Sequence, residues 1–204
     1  MSPRGPAATR TRIVQTAMRL FATRGYQGSS IGDIAREARA NPGSVYFFFP
    51  SKQDILVAVL DAYHDGINEI VLEPAWKGVA DPIARVFALL DLYRSFLVRT
   101  KCSYACPIGI LALELHAPDA EVRERLSKNF SRWKAEVEAC IRSSPGRLPK
   151  GITPRDLATL VLTVMEGGVM QARTYGSTEA FDTSVRLLKD YLSRLQRSSR
   201  AKGQ

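Results

Sequence analysis

"NPGSVYFFFPSKQD", Asn41 to Asp54, opens with turn formers, runs through four consecutive aromatics and closes on a second polar start signal. Asn41-Pro42 caps and opens a short helix, because a proline at the first helical position has no N–H to leave unsatisfied. Pro50 closes that helix, and Ser51 with Asp54 caps the next. Val45 and Phe49 stand at i and i+4 and can share an inward face. Tyr46, Phe47 and Phe48 then sweep the remaining arc. They either pack against the next helix within one core, or they stay outward and a partner covers them, since exposed aromatics are costly in water.

Upstream, Ile13, Ala17, Leu20 and Phe21 fall at i, i+4, i+7 and i+8, one face of a helix from Thr9 that Gly25 ends. Ser30 with Asp33 is an acidic variant of the capping box. Ile31, Ile34, Ala35 and Ala38 give the second helix its buried stripe. Residues 1–8 contain two prolines and a glycine and read as a loose arm. Downstream of Ser51, a fourth helix carries Ile55, Leu56, Val59, Leu60 and Tyr63 toward Leu72. Three short helices with tight turns, positive charge and a basic arm describe a helix-turn-helix module. We place it at about 30–49 within a domain of residues 1–52.

The charge distribution agrees. The 204 residues carry a net charge of +9. Residues 1–56 hold eight Lys/Arg against three Asp/Glu, and residues 186–204 hold six against one, so each end is +5 around a nearly neutral middle. The N-terminal excess suits an anionic partner. The C-terminal excess reads better as a solvated, frayed tail. No run of about 18 apolar residues appears, so no membrane helix is expected. The N-terminus has no apolar leader region, and three cysteines make no disulfide framework, so the expected setting is the cytoplasm with reduced thiols.

Residues 53–204 read as further helices. Asp81-Pro82 opens one with Ile83, Val86, Phe87, Leu90, Tyr93 and Leu97. Pro107 to Leu115 is short and apolar, and Asp119 to Ile141 is long and amphipathic. Leu157 to Tyr175 is apolar nearly all round, which suggests burial on two sides. Glu179 to about Arg197 is the last. The class is all-α, with about nine helices and no strand alternation.

At this point a resemblance becomes specific. Residues from about 9 to 60 resemble the DNA-binding domain of the TetR family of transcriptional repressors. "LFATRGYQGSSIGDIA" and "GSVYFFFPSKQDIL" carry it, with Gly25, Tyr26, Ser30, Ile34, Ala35, Gly43, Val45, Tyr46, Phe49 and Lys52 at the family's spacing. The resemblance implies that Ser30, Gly43, Ser44, Tyr46, Phe47 and Lys52 touch double-stranded DNA. Phe48 stands where the family often has histidine, which leaves van der Waals contact only. Pro42 stands where a basic contact is common. Arg4, Arg10 and Arg12 are available to an arm reaching the minor groove or phosphates. No obvious bidentate guanine reader is present, so affinity should rest on phosphates and shape, with a steep salt dependence.

The resemblance also implies that the C-terminal part binds a small-molecule effector and forms a homodimer through the last two helices. Two half-sites in successive major grooves lie about 34–36 Å apart and demand two copies of the module. Glu166-Gly167-Gly168 weakens its helix unless another helix packs very closely. Tyr93, Phe96, Cys106, Leu111, Phe130, Trp133, Met165 and Met170 are candidates to line an apolar pocket, and each also suits plain core.

"CSYACPIGILALEL" places Cys106 before Pro107 at a helix start, where N–H groups stabilise a thiolate. It resembles a segment of one TetR branch in which some members sense electrophiles or oxidants through that cysteine; a small buried residue at a packed helix entry is the alternative. Cys102, Cys106, His116 and Cys140 match no compact metal-ligand spacing. No cofactor motif appears. Two rival functions differ in class. One is an architectural DNA-binding protein without a ligand. The other is a thiol-dependent enzyme using Cys106 with His116, which lie ten residues apart across a helix start.

Overall fold

Each helix of the N-terminal part starts where its local chemistry satisfies the first N–H groups. A computed structural model describes residues 5–144 and 148–201, and side chains as far as 195. Helix α1 spans Pro6–Arg24, α2 Ile31–Glu37, α3 Pro42–Phe48 and α4 Lys52–Asp65. The Ser30–Asp33 box is reciprocal: the Asp33 N–H donates to Ser30 Oγ at 3.0 Å, and the Ser30 N–H donates to Asp33 Oδ2 at 3.1 Å. Ser51 and Asp54 repeat it at 3.2 and 2.8 Å. A loose arm was expected over residues 1–8, of which residues 1–4 lie outside the described residues. Pro6 already opens α1, so Arg10 and Arg12 stand on a helix. Arg4 lies outside the described residues.

The fourth helix does not run to Leu72. It stops at Asp65, with Gly66 as its C-cap; a π-turn follows over Asn68–Leu72, then α5 over Glu73–Trp76. The remaining helices are α6 Pro82–Arg99, α7 Pro107–Glu114, α8 Ala120–Ser143, α9 Pro154–Tyr175 and α10 Glu179–Ala201. The described residues thus contain ten α-helices and no strand. Part of the loop between α8 and α9 lies outside the described residues. The backbone of α10 is helical to Ala201, where a frayed tail was the preferred reading.

The chain forms two units, residues 1–66 with 106–130, and residues 67–105 with 131–204. They do not follow the sequence division at 52/53: α4, α7 and the first part of α8 pack with the N-terminal helices. The core of the first unit joins Ile13, Leu20 and Phe21 of α1 to Ile34, Val45, Ile55, Leu60, Leu111, Val122 and Leu126. Burial of each such side chain contributes about 1.5–3 kcal/mol. Asn129, a buried polar residue, donates through Nδ2 to the Leu60 carbonyl at 3.0 Å and so ties α8 to α4. An unpaired amide there would be costly.

The core of the second unit gathers Val86, Leu90, Tyr93 and Leu97 of α6, Trp133 and Val137 of α8, Val161, Met165 and Val169 of α9, and Phe181, Leu188 and Leu192 of α10. Arg94 grips Asp182 through two hydrogen bonds of 2.7 and 2.9 Å, joining α6 to α10. The Arg94 guanidinium holds the Asp182 carboxyl below its ordinary range. Only one side of α9 is buried by its own chain. Leu160, Met170 and Tyr175 are exposed, as are Leu187 and Tyr191 of α10.

Candidate nucleic-acid interface

The surface of α3 follows from its short apolar register. Val45 is 0% and Phe49 is 3% exposed, so the i, i+4 pair turns inward. Tyr46 is 54% and Phe47 80% exposed on the opposite side. Phe48 is half-buried, and its ring meets that of Phe47 edge-on, with centroids 5.2 Å apart and planes at 78°. Asn41 caps the helix by accepting the Gly43 N–H at 2.8 Å. Gly43 is exposed and Ser44 half-buried at the same end.

The basic residues of α1 serve this module in a way the sequence does not announce. Arg12 Nε donates to the Ala38 carbonyl at 2.7 Å, where α2 ends. It therefore braces the turn before α3 and is not part of an arm. Arg10 lies over the Phe49 ring, 5.1 Å from its centroid. Such a contact is worth about 0.5–1 kcal/mol at an exposed site. Arg19 and Arg24 both bind Glu37, Arg24 at 2.9 Å, and fix α1 to the end of α2. Ser30 is occupied by its cap, since its hydroxyl donates to Asp33 Oδ2 at 2.6 Å. The side-chain and backbone hydrogen bonds from Ser30, then that from Arg36, bring the Asp33 carboxyl down to about 2. Lys52 opens α4 with Nζ 4.2 Å from the Tyr26 ring centroid, and partial burial lowers its pKa.

Glu114 is the residue that sequence reasoning missed here. Its carboxylate, at the end of α7, accepts the N–H of Tyr26 at 2.8 Å and of Gln27 at 2.6 Å. These are the two amides that follow Gly25 in the α1–α2 turn. Gly25 before them has φ +78°, and a Cβ there would stand 2.9 Å from Glu114 Oε2. The glycine thus supplies both the left-handed conformation and the space for the carboxylate. The only signal for Glu114 in the sequence was its place near the end of the quoted cysteine stretch. Glu114→Ala should leave two turn amides without their charged partner. We expect a loss of about 2 kcal/mol, since hydrogen bonds to charged groups contribute about 1.5–3 kcal/mol. Loss of amide-exchange protection at Tyr26 and Gln27 is the direct measurement; unchanged protection would refute the assignment.

The eight pocket candidates are divided between the two units. Tyr93, Trp133 and Met165 share the second unit's core, with Phe96 packed against it. Trp133 Nε1 donates to Tyr93 Oη at 3.1 Å. Tyr104, absent from the sequence selection, completes an aromatic group with its centroid 5.0 Å from Phe96 and 6.3 Å from Tyr93. Leu111 belongs instead to the core of the first unit, and Cys106 and Phe130 lie in that unit too. Met170 is exposed, because five residues at about 100° each carry it about 140° round α9 from Met165. Cys106 is buried and forms the N-cap of α7. His116 is exposed beyond the helix's other end. An eight-residue helix is about 12 Å long, so the two do not form a nucleophile–base pair.

Comparison with known proteins matches this geometry at both ends of the chain. The family described as "Bacterial regulatory proteins, tetR family" matches residues 13–59, and "Tetracyclin repressor-like, C-terminal domain" matches residues 82–188. The transcriptional regulator AcrR of Shigella flexneri is 33% identical over 90% of this chain and 89% of its own length. The transcriptional repressor DhaR of Mycobacterium sp. (strain GP1) is 25% identical over 85% of this chain and 86% of its own. In fold, the chain is similar to a TetR-family regulator from Agrobacterium tumefaciens, with TM-score 0.79 and 22% identity over 94% of this chain and all (100%) of that one. It is also similar to the reduced form of NemR from E. coli, with TM-score 0.76 and 20% identity over 89% and 95%. The inward Val45 and Phe49, the capped α2 and α3, and matches over both parts of the sequence lead to one conclusion: the chain belongs to the TetR family of helix-turn-helix transcriptional regulators.

Proposed function

We propose that this regulator is a repressor that binds a palindromic operator as a homodimer and leaves it when a small apolar or electrophilic effector binds. Residues 1–52 read DNA, and residues 53–204 receive the effector and pair the subunits. The observation that carries the reading is the split register of α3: Val45 and Phe49 closed in the core, Tyr46 and Phe47 open to a partner. With α3 in a major groove, Gly43 and Ser44 allow close backbone approach, and Tyr46 offers its hydroxyl to a phosphate. Phe47 and Phe48 add van der Waals contact. Lys52 at the start of α4 and Arg10 lie around the same helix-turn-helix and add charged contact to the DNA backbone, while Ser30 acts by capping α2. Arg12 acts through the Ala38 carbonyl.

Pairing is supported by two outward stripes on the last helices, Leu160, Gly167 and Met170 on α9 and Leu187 and Tyr191 on α10. For the effector, the group of Tyr93, Phe96, Tyr104, Trp133 and Met165 supports an apolar or aromatic ligand that spreads these rings apart. Release follows if the ligand prefers the state whose two α3 helices no longer match successive grooves. No helix among the described residues is long and apolar enough to cross a membrane. Action on DNA places the protein in the cytoplasm in this reading.

One observation favours an electrophile as the effector. Cys106 caps one end of α7, and Glu114 at its other end holds the α1–α2 turn. A modified thiol would push on the same short helix that sets the module. Cys106→Ser should then abolish release by electrophiles, and an unchanged response would remove this route. The general reading is tested by selecting duplexes from a random pool and then releasing the chosen one with candidate inducers. Saturable quenching of Trp76 and Trp133 should accompany release. Failure to bind any duplex at low salt would overturn the proposal.

A further inference from the structure

The side chains of α3 limit what it can recognise. They are Pro42, Gly43, Ser44, Val45, Tyr46, Phe47 and Phe48, with no amide, guanidinium, ammonium or carboxylate group among them. The one amide at its threshold, Asn41, is turned back to cap Gly43. The pairings that read a base edge bidentately need Arg or Lys for guanine and Asn or Gln for adenine, and Asp or Glu accepts from cytosine N4. None is available on this helix. Its most prominent group is the Phe47 ring, 80% exposed and braced edge-on by half-buried Phe48. A braced ring keeps one position at little entropic cost, which suits shape recognition.

In a major groove, an apolar ring finds one apolar feature on the base edges, the methyl group on C5 of thymine. Unmodified cytosine lacks it, and 5-methylcytosine carries the same methyl at the same carbon. We propose that Phe47 is a specificity-determining residue that reads a pyrimidine 5-methyl group in each operator half-site. This rests on the reading above that α3 enters the major groove. It goes further in naming the atom group recognised and in making operator binding sensitive to cytosine methylation at that position. The hydroxyls of Ser44 and Tyr46 remain for phosphate or single base contacts and do not supply the discrimination.

The test uses the full-length protein and its selected operator duplex, with binding followed by fluorescence anisotropy at one fixed salt concentration. Each thymine is replaced in turn by deoxyuridine, which removes only the methyl. At one position per half-site the wild type should bind about fourfold more weakly, the effect of one buried methyl group, and about fifteenfold when both half-sites are changed. At that position Phe47→Ala should bind thymine and uracil duplexes equally. Phe47→Leu should keep part of the preference. Replacing the T·A pair by C·G should weaken wild-type binding, and 5-methylcytosine in place of that cytosine should recover about fourfold.

Indifference of the wild type to uracil at every position would overturn the inference while leaving operator binding standing. So would an undiminished thymine preference in Phe47→Ala, or no recovery with 5-methylcytosine. Failure to bind any duplex would overturn the groove reading and this inference together. An indifferent wild type refutes the inference without any variant, and a positive scan assigns the methyl to Phe47 only together with Phe47→Ala.

Discussion

Leu187→Glu is expected to convert the protein from dimer to monomer and to weaken operator binding by a factor on the order of 10²–10⁴. Leu187 sits on α10 and is 54% exposed, outside the core of its own unit. With Tyr191 on the next turn, and Leu160 and Met170 on α9, it forms an apolar surface that no described residue of its own chain covers. A two-fold axis places the same patch on both subunits, so one substitution puts a carboxylate on each side of the interface. Burying those charges without partners costs more than the lost leucine contacts. The protomer itself should fold as before, because the side chain leaves no cavity. Binding to one isolated half-site should also be unchanged, since α3 is untouched. Only the linked second half-site is lost, and with it the avidity. Light scattering after gel filtration reads the mass, and anisotropy with full and half operators reads the affinity. A variant that remains dimeric, or that binds the full operator as tightly as the wild type, would refute the assignment of this face.

Much of the fold was legible because its signals are local. Ser30–Asp33 and Ser51–Asp54 each predict a helix start within four residues, and each forms a reciprocal cap. The inward turn of Val45 and Phe49 needs only helical spacing. What stayed hidden depends on partners far along the chain. Glu114 meets amides 88 and 87 residues away, and Arg12 reaches a carbonyl 26 residues on. No window of sequence contains either pair. Gly66 was hard to read because a lone glycine within an apolar periodic run is compatible with a continuous helix. Met170 was misplaced because α9 is apolar nearly all round. Periodicity then gives no core face, and burial on two sides looked the same as one buried and one unpartnered side. The candidate site was legible at α3 itself, where family spacing and helical register coincide, and least legible in the effector part, where the aromatic group comes from distant segments.

The adjacent glycines of α9 should respond in opposite directions to the same substitution. A Cβ on Gly168 would stand 2.7 Å from Phe181 Cδ2 and 3.3 Å from Phe181 Cα. Phe181 is fully buried, so its ring has nowhere to turn, and the contact with its Cα can be relieved only by moving α10 from α9. Overpacking of this kind costs about 1–3 kcal/mol, occasionally more. Because backbone is involved, we expect the upper end, about 3 kcal/mol, even after the helix gains a better former. For a chain of this size that lowers the melting temperature by about 6–12 °C. Gly167 points the other way, and a Cβ there meets nothing within 4 Å. Alanine then brings only its helix propensity, a gain of about 1 kcal/mol. Both changes should be made in the Leu187→Glu background, so that pairing of subunits does not enter the measurement. Urea unfolding of the two variants beside that parent reads the contrast. A Gly168→Ala variant as stable as its parent would show that α10 does not lie against the α9 backbone at this point, and a loss at Gly167→Ala would show that the space beside Gly167 is not open.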